Sequence, residues 1–187
     1  IRACLLSRGL GDVYKRQELN DSMAIVQYLV SQYPGPLTPE NNEIAARVNM
    51  YWAWVQDYYS FVLSPFHDII IENNDVFWRN LRLTDSLANG GKETGISNLT
   101  ALHKKRLSFL EQHLANTNAA PFMTGKVCSY ADIFLYTCVR AVQETGGFGV
   151  LREACNGDPF NDFPIVKNVA DAVGKIDAVS YTHLRAH

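Results

Sequence analysis

The sequence predicts an all-α protein, a bundle of helices separated by breakers. Three observations carry this. Apolar residues recur at helical spacing in several long stretches. Proline, glycine or a polar start residue bounds each stretch. No stretch alternates as a half-buried strand does, and no repeat period is present.

The first helix is expected over residues 22–33. Met23, Ile25, Val26, Tyr28, Leu29 and Val30 supply its apolar side, and Pro34-Gly35-Pro36 stops it. Residues 36–39 then read as a linker and as the domain boundary. A long helix follows over residues 40–61, continuing if the chain stays helical through Pro65. Ile44, Val48, Tyr51, Trp52, Val55, Tyr59 and Val62 form its core face, and Met50, Trp54 and Phe61 widen it. The remaining stripe is polar: Asn49, Gln56, Asp57 and Ser60, with His67 in phase beyond Pro65. Such a stripe faces water or a cleft.

Residues 73–95 are polar and contain glycine, with a short helix expected over 76–87. Leu99, Leu102, Leu107, Leu110 and Leu114 mark an amphipathic helix over 96–115. Ser129 opens the next. An acid three residues later, Asp132, completes a pattern close to the capping box, in which each side chain satisfies the other residue's backbone N–H. Its run Ile133-Phe134-Leu135-Tyr136-Thr137-Cys138-Val139 is nearly all apolar, which places this helix at the bundle centre; Gly146-Gly147 ends it. Shorter helices are expected over 148–155 and 164–176.

Composition removes several functions. An apolar fraction of 47% supports a sizeable core, and 19% charge with 11% aromatics argues against disorder. A net charge of -2 lacks the basic excess that tracks nucleic-acid phosphates, so no nucleic-acid partner is expected. No stretch reaches the roughly 18 uninterrupted apolar residues of a membrane span. Cys4, Cys128, Cys138 and Cys155 form no C-x-x-C pair, so no metal site is expected; the spacing fits a reduced, cytoplasmic setting. Residues 1–17 and 180–187 show no period and read as adapter-like foreign ends.

The segment Leu19-Asn20-Asp21-Ser22 precedes the first helix. A helix N-terminus binds carboxylates through its free N–H groups; the Ser22 hydroxyl adds a donor, and Asp21 can take an ammonium. These residues suit a zwitterionic amino-acid end, and equally an ordinary Asp/Ser cap, which spacing alone favours.

This segment, with Ala24-Ile25-x-x-Tyr28-Leu29 after it, resembles the acid/amide-Ser motif and following helix of glutathione transferases. Ala46-Arg47-Val48, Phe122-Met123-Thr124-Gly125, Ser129-x-x-Asp132, Asp158-Pro159-Phe160 and Phe163-Pro164 continue the resemblance in order, over about residues 19–179. The texture is closest to sigma- or mu-like members. The resemblance implies a remnant of a thioredoxin-like domain over 18–35 and an all-helical C-terminal domain over 36–179. It implies conjugation of glutathione, as co-substrate and without a cofactor, to small hydrophobic electrophiles, by a homodimer. Asp21 and Ser22 would hold the γ-glutamyl end, although Asp21 stands where the family has Gln or Glu and is one methylene shorter. Asp57 would reach the glutathione amine of the partner subunit. Gln56, Ser60 and His67 would line the electrophile pocket. The family's catalytic Tyr, Ser or Cys and its cis-proline turn belong to the thioredoxin-like domain upstream of Leu19, so the chain as given is expected to be inactive. The three inner cysteines read as helical core packing, and Ser129 and Asp132 as structural.

Overall fold

The computed structural model describes residues 10–12, 17–19, 22–65, 91–118 and 120–176. Apart from one short strand pair, the described elements are helices. β1 (Leu10–Asp12) pairs antiparallel with β2 (Gln17–Leu19), with Leu10 opposite Leu19 and Asp12 opposite Gln17. The sequence reading expected no strand here, because three-residue strands are too short to show alternation.

α1 (Ser22–Gln32) lays Met23, Val26 and Val30 against the core but fully buries no side chain. α2 (Asn42–Tyr58) begins where Asn41 accepts the Ile44 N–H at 2.9 Å, an N-cap that satisfies one of the free donors of the first turn. It buries Val48, Tyr51, Trp52, Val55 and Tyr58. Here the structure corrects the expected face: Tyr58 is buried, while Tyr59 is 45% exposed. The helix then widens into a π-helical turn over Tyr59–Leu63, which takes up one extra residue and keeps both Val62 and Leu63 buried. Ser64 and Pro65 remain helical. The helix expected over 76–87 lies outside the described residues.

α3 (Gly91–Thr117) is longer than its leucine period suggested. Leu99, Leu107, Leu110 and Leu114 are buried, and Leu102 is half-buried. A tight turn follows the cis Ala120–Pro121 bond. Phe122 and Gly125 exchange both backbone hydrogen bonds at 3.0 Å, and Gly125 has φ +120, which only glycine adopts readily.

α4 (Tyr130–Glu144) is the centre of the bundle, packed on α2 and on α6. Its start stacks Tyr130 and Phe134 around the Trp52 ring, with centroids 5.7 and 4.6 Å away. Its last carbonyls are not left bare: the Arg152 guanidinium donates to the Val142 carbonyl and, at 2.8 Å, to that of Thr145. A 3₁₀ turn (Gly146–Phe148) leads into α5 (Gly149–Ala154). α6 (Pro164–Gly174) closes the fold against α3 and α4, burying Val166, Val169, Ala170 and Val173.

Candidate functional site

Ser22 is the first residue of α1 and is exposed. Asp21, its expected companion, lies outside the described residues, as does His67. A polar junction at Asn49 ties α1 to the bundle. The Asn49 Oδ1 of α2 accepts from Gln27 Nε2 at 3.0 Å and from the Tyr130 hydroxyl of α4 at 2.5 Å. Asn49 was expected on an open polar stripe. Instead it is a half-buried acceptor shared by α1 and α4, because its side chain sits where the three helices meet.

The rest of the stripe divides. Gln56 Nε2 donates to Ser60 Oγ at 3.1 Å, and both residues are half-buried. Asp57 is exposed, and its carboxylate lies 4.0 Å from the Arg106 guanidinium of α3. Among the described residues no hydrogen bond joins Ser22 to Gln56, Asp57 or Ser60. The structure thus brings Gln56 and Ser60 together and gives Asp57 a partner of its own.

Among the described residues, two of the clefts lie nearby. A small one of about 60 Å³ opens between α2 and α3, with Trp54, Tyr58, Arg106 and Phe109 among its walls. A larger one of about 260 Å³ separates the 36–40 linker from the start of α4, with Leu37, Ile44, Val127, Cys128 and Ser129 in its lining. Gln56, Asp57 and Ser60 line neither.

Ser129 and Asp132 close a complete capping box. Asp132 accepts the Ser129 N–H at 2.8 Å and the Ser129 hydroxyl at 2.5 Å on one oxygen, and the Met123 N–H at 2.7 Å on the other. The Ser129 hydroxyl in turn faces the Asp132 N–H at 3.4 Å. Burial pushes the Asp132 carboxyl above its ordinary value, and the hydrogen bonds oppose that by favouring the anion. With both oxygens engaged, Asp132 holds the helix start to the Phe122–Gly125 turn.

The three cysteines among the described residues are free thiols. Burial pushes Cys128 and Cys138 up to about 12 and raises Cys155 as well. Only Cys138 is helical, however; Cys128 precedes α4 and Cys155 follows α5. Among the described residues no group of three His, Cys, Asp or Glu could hold a metal ion, and no helix is long and apolar enough to cross a membrane.

The sequence reading missed three polar anchors. His103 is fully buried; its Nδ1 lies 3.0 Å from the Tyr58 hydroxyl and its Nε2 lies 3.1 Å from the Pro159 carbonyl. Glu111 of α3 accepts the Ile165 and Val166 N–H groups at 2.8 and 2.9 Å, capping α6 from another helix. Asp158 accepts from Lys167 at 2.7 Å, Gln143 at 3.0 Å and the Phe160 N–H at 3.0 Å. Burial alone would raise the Asp158 pKa, but these donors hold its carboxyl below the usual range. His103 carried a faint signal, since it stands four residues from both Leu99 and Leu107 on the buried face. Glu111 carried none.

Residues 92–180 match the family model for the C-terminal domain of glutathione S-transferases. The match takes in nearly all of α3 and the whole of α4, α5 and α6, with Ser129 and Asp132; Ser22, Gln56, Asp57, Ser60 and His67 precede it. None of the curated proteins compared matches the chain, and no solved structure does.

Proposed function

We propose that the chain is the helical part of a sigma- or mu-like glutathione transferase, which joins the thiolate of glutathione to small hydrophobic electrophiles in the cytoplasm. The observation that carries this reading is the match over 92–180 to the C-terminal domain of that family. The all-helical arrangement around a capped central α4 supports it. In this reading Asp21 and Ser22, at the start of α1, take the γ-glutamyl end of glutathione, where a helix N-terminus favours a carboxylate. Asp57 serves the glutathione ammonium of the second subunit of a homodimer. Its exposure favours this, because a surface ion pair such as Asp57–Arg106 exchanges partners at little cost. Gln56, Ser60 and His67 face the electrophile.

The thiolate itself needs a stabilising donor. In the family that donor stands on the thioredoxin-like domain, so these helices bind and position, and conjugation requires that domain alongside them. A second reading is a non-catalytic interaction protein of the same lineage.

Conjugation of glutathione to an aromatic electrophile, followed by absorbance, separates the readings. The 187-residue chain should not exceed the uncatalysed rate, and the product of the full-length transcript should. Turnover by the chain alone at a rate typical of intact transferases would overturn the division of labour. A full-length product that neither binds glutathione nor conjugates it would leave the interaction protein.

A further inference from the structure

Met23, Val26 and Val30 of α1 pack against the core, yet no side chain of this helix is fully buried. Apolar contact has no preferred direction, so it tolerates a roll of the helix about its own axis. A directional contact comes from Gln27, whose Nε2 donates to the Asn49 Oδ1 of α2 at 3.0 Å. At about 100° per residue, Met23, Val26 and Val30 form one narrow stripe, with Gln27 about 65° to one side of it and Ser22 about 75° to the other. Both Gln27 and Ser22 are exposed, as that placement requires.

The acceptor is itself held. An amide oxygen has two lone-pair directions, and Asn49 Oδ1 also takes the Tyr130 hydroxyl at 2.5 Å. Tyr130 is buried, and its ring stands edge-on to Trp52 with centroids 5.7 Å apart. The Gln27 donor therefore meets an oxygen whose place is set by α2 and α4, which pack on each other. The apolar stripe acts as a hinge line, and the Gln27 bond restrains the helix on one side of it. Without that bond, a roll of about 15° carries a side-chain tip about 5 Å from the axis through more than about 1 Å. Such a displacement is enough to break a hydrogen bond made by Ser22 on the far side.

We propose that Asn49 is a positioning residue for glutathione: by fixing Gln27 it sets the roll of α1, and so the direction from which Ser22 meets the γ-glutamyl end. The proposal rests on the role given to Ser22 above. Asn49 acts through Ser22, so its effect falls on glutathione binding and not on the chemical step. Loss of one such hydrogen bond corresponds to about three- to tenfold in affinity.

Two measurements test this. In the 187-residue chain, Asn49→Leu should shift the Ser22 amide resonance, while Leu135 and Val139 in α4 keep theirs; a Ser22 amide that stays in place would overturn the link. The second is steady-state conjugation by the full-length transcript product, with glutathione and a nitroaryl chloride varied in turn. Gln27→Ala and Asn49→Leu should each raise the KM for glutathione by about three- to tenfold, with kcat and the KM for the electrophile unchanged. Asn49→Asp keeps the acceptor oxygen and should restore the parent value. In a Ser22→Ala background the same substitutions should add nothing, because they act through Ser22. Gln27 is exposed, so Gln27→Ala still decides should Asn49→Leu not fold. A fall in kcat at unchanged KM, or effects that simply add in the double variants, would overturn the positioning role alone. A glutathione KM indifferent to Ser22→Ala would overturn the reading of Ser22, and the proposal with it.

Discussion

Asp132 and Asp57 show how differently two acids can serve one fold. Asp132 is fully buried and occupied by backbone donors; Asp57 is half-exposed beside one guanidinium. Asp132→Ala leaves the Met123 and Ser129 N–H groups dry, and each such group costs about 1–3 kcal/mol. Asp57→Ala loses a surface ion pair worth about 0–1 kcal/mol. Urea melts should therefore place Asp132→Ala at least about 2 kcal/mol below the parent chain, with Asp57→Ala nearly on it. The reverse order would mean that the structural and functional acids have been exchanged. The Asp132 box was legible because both halves lie within one helical turn, so the pattern is local. His103, Glu111 and Asn49 were not. Their partners stand tens of residues away, and a sequence window cannot show which donors will meet an acceptor across a bundle.

Helix existence was readable at the level of elements, and helix phase was readable only where the period stayed regular. α4 and α6 start where Ser129 and Pro164 indicated, since both signals act on the first turn itself. The face of α2 was misread at Tyr58 and Tyr59, because the widened turn after Tyr58 departs from a 100° step. α3 outran its leucines, since polar turns extend a helix without leaving an apolar mark. The start of α6 depends on α3: Pro164 needs no N–H partner, and Glu111 serves the next two donors. Glu111→Ala should cost about 1–2 kcal/mol, and Glu111→Gln, which keeps one acceptor, visibly less. Chemical denaturation of the pair checks this; equal stability of all three chains would show that water caps α6 equally well.

For the molecule as a whole, every fully buried apolar side chain among the described residues falls between Val48 and Val173. Residues 1–17 and 180–187 carry no apolar period that would add to this core. Removing residues 1–17 and 180–187 should shift the melting temperature by less than about 4 °C, the equivalent of roughly 1 kcal/mol for a chain of this size. A larger fall in a calorimetric scan would show that the ends pack. The helical plan was legible because it rests on periodic burial, whereas the pairing of Asp57 with Arg106 rests on tertiary geometry that no local pattern encodes. The π-helical turn at Tyr59–Leu63 has a consequence for the gene. Such a turn is an α-helix holding one residue too many. A single codon lost there, for instance that of the exposed Phe61, returns the backbone to ordinary winding while Val62 and Leu63 stay on the core side. The same deletion elsewhere in α2 would rotate every later side chain by about 100°. This stretch is where the reading frame of the helix can change length without scrambling what lies on either side.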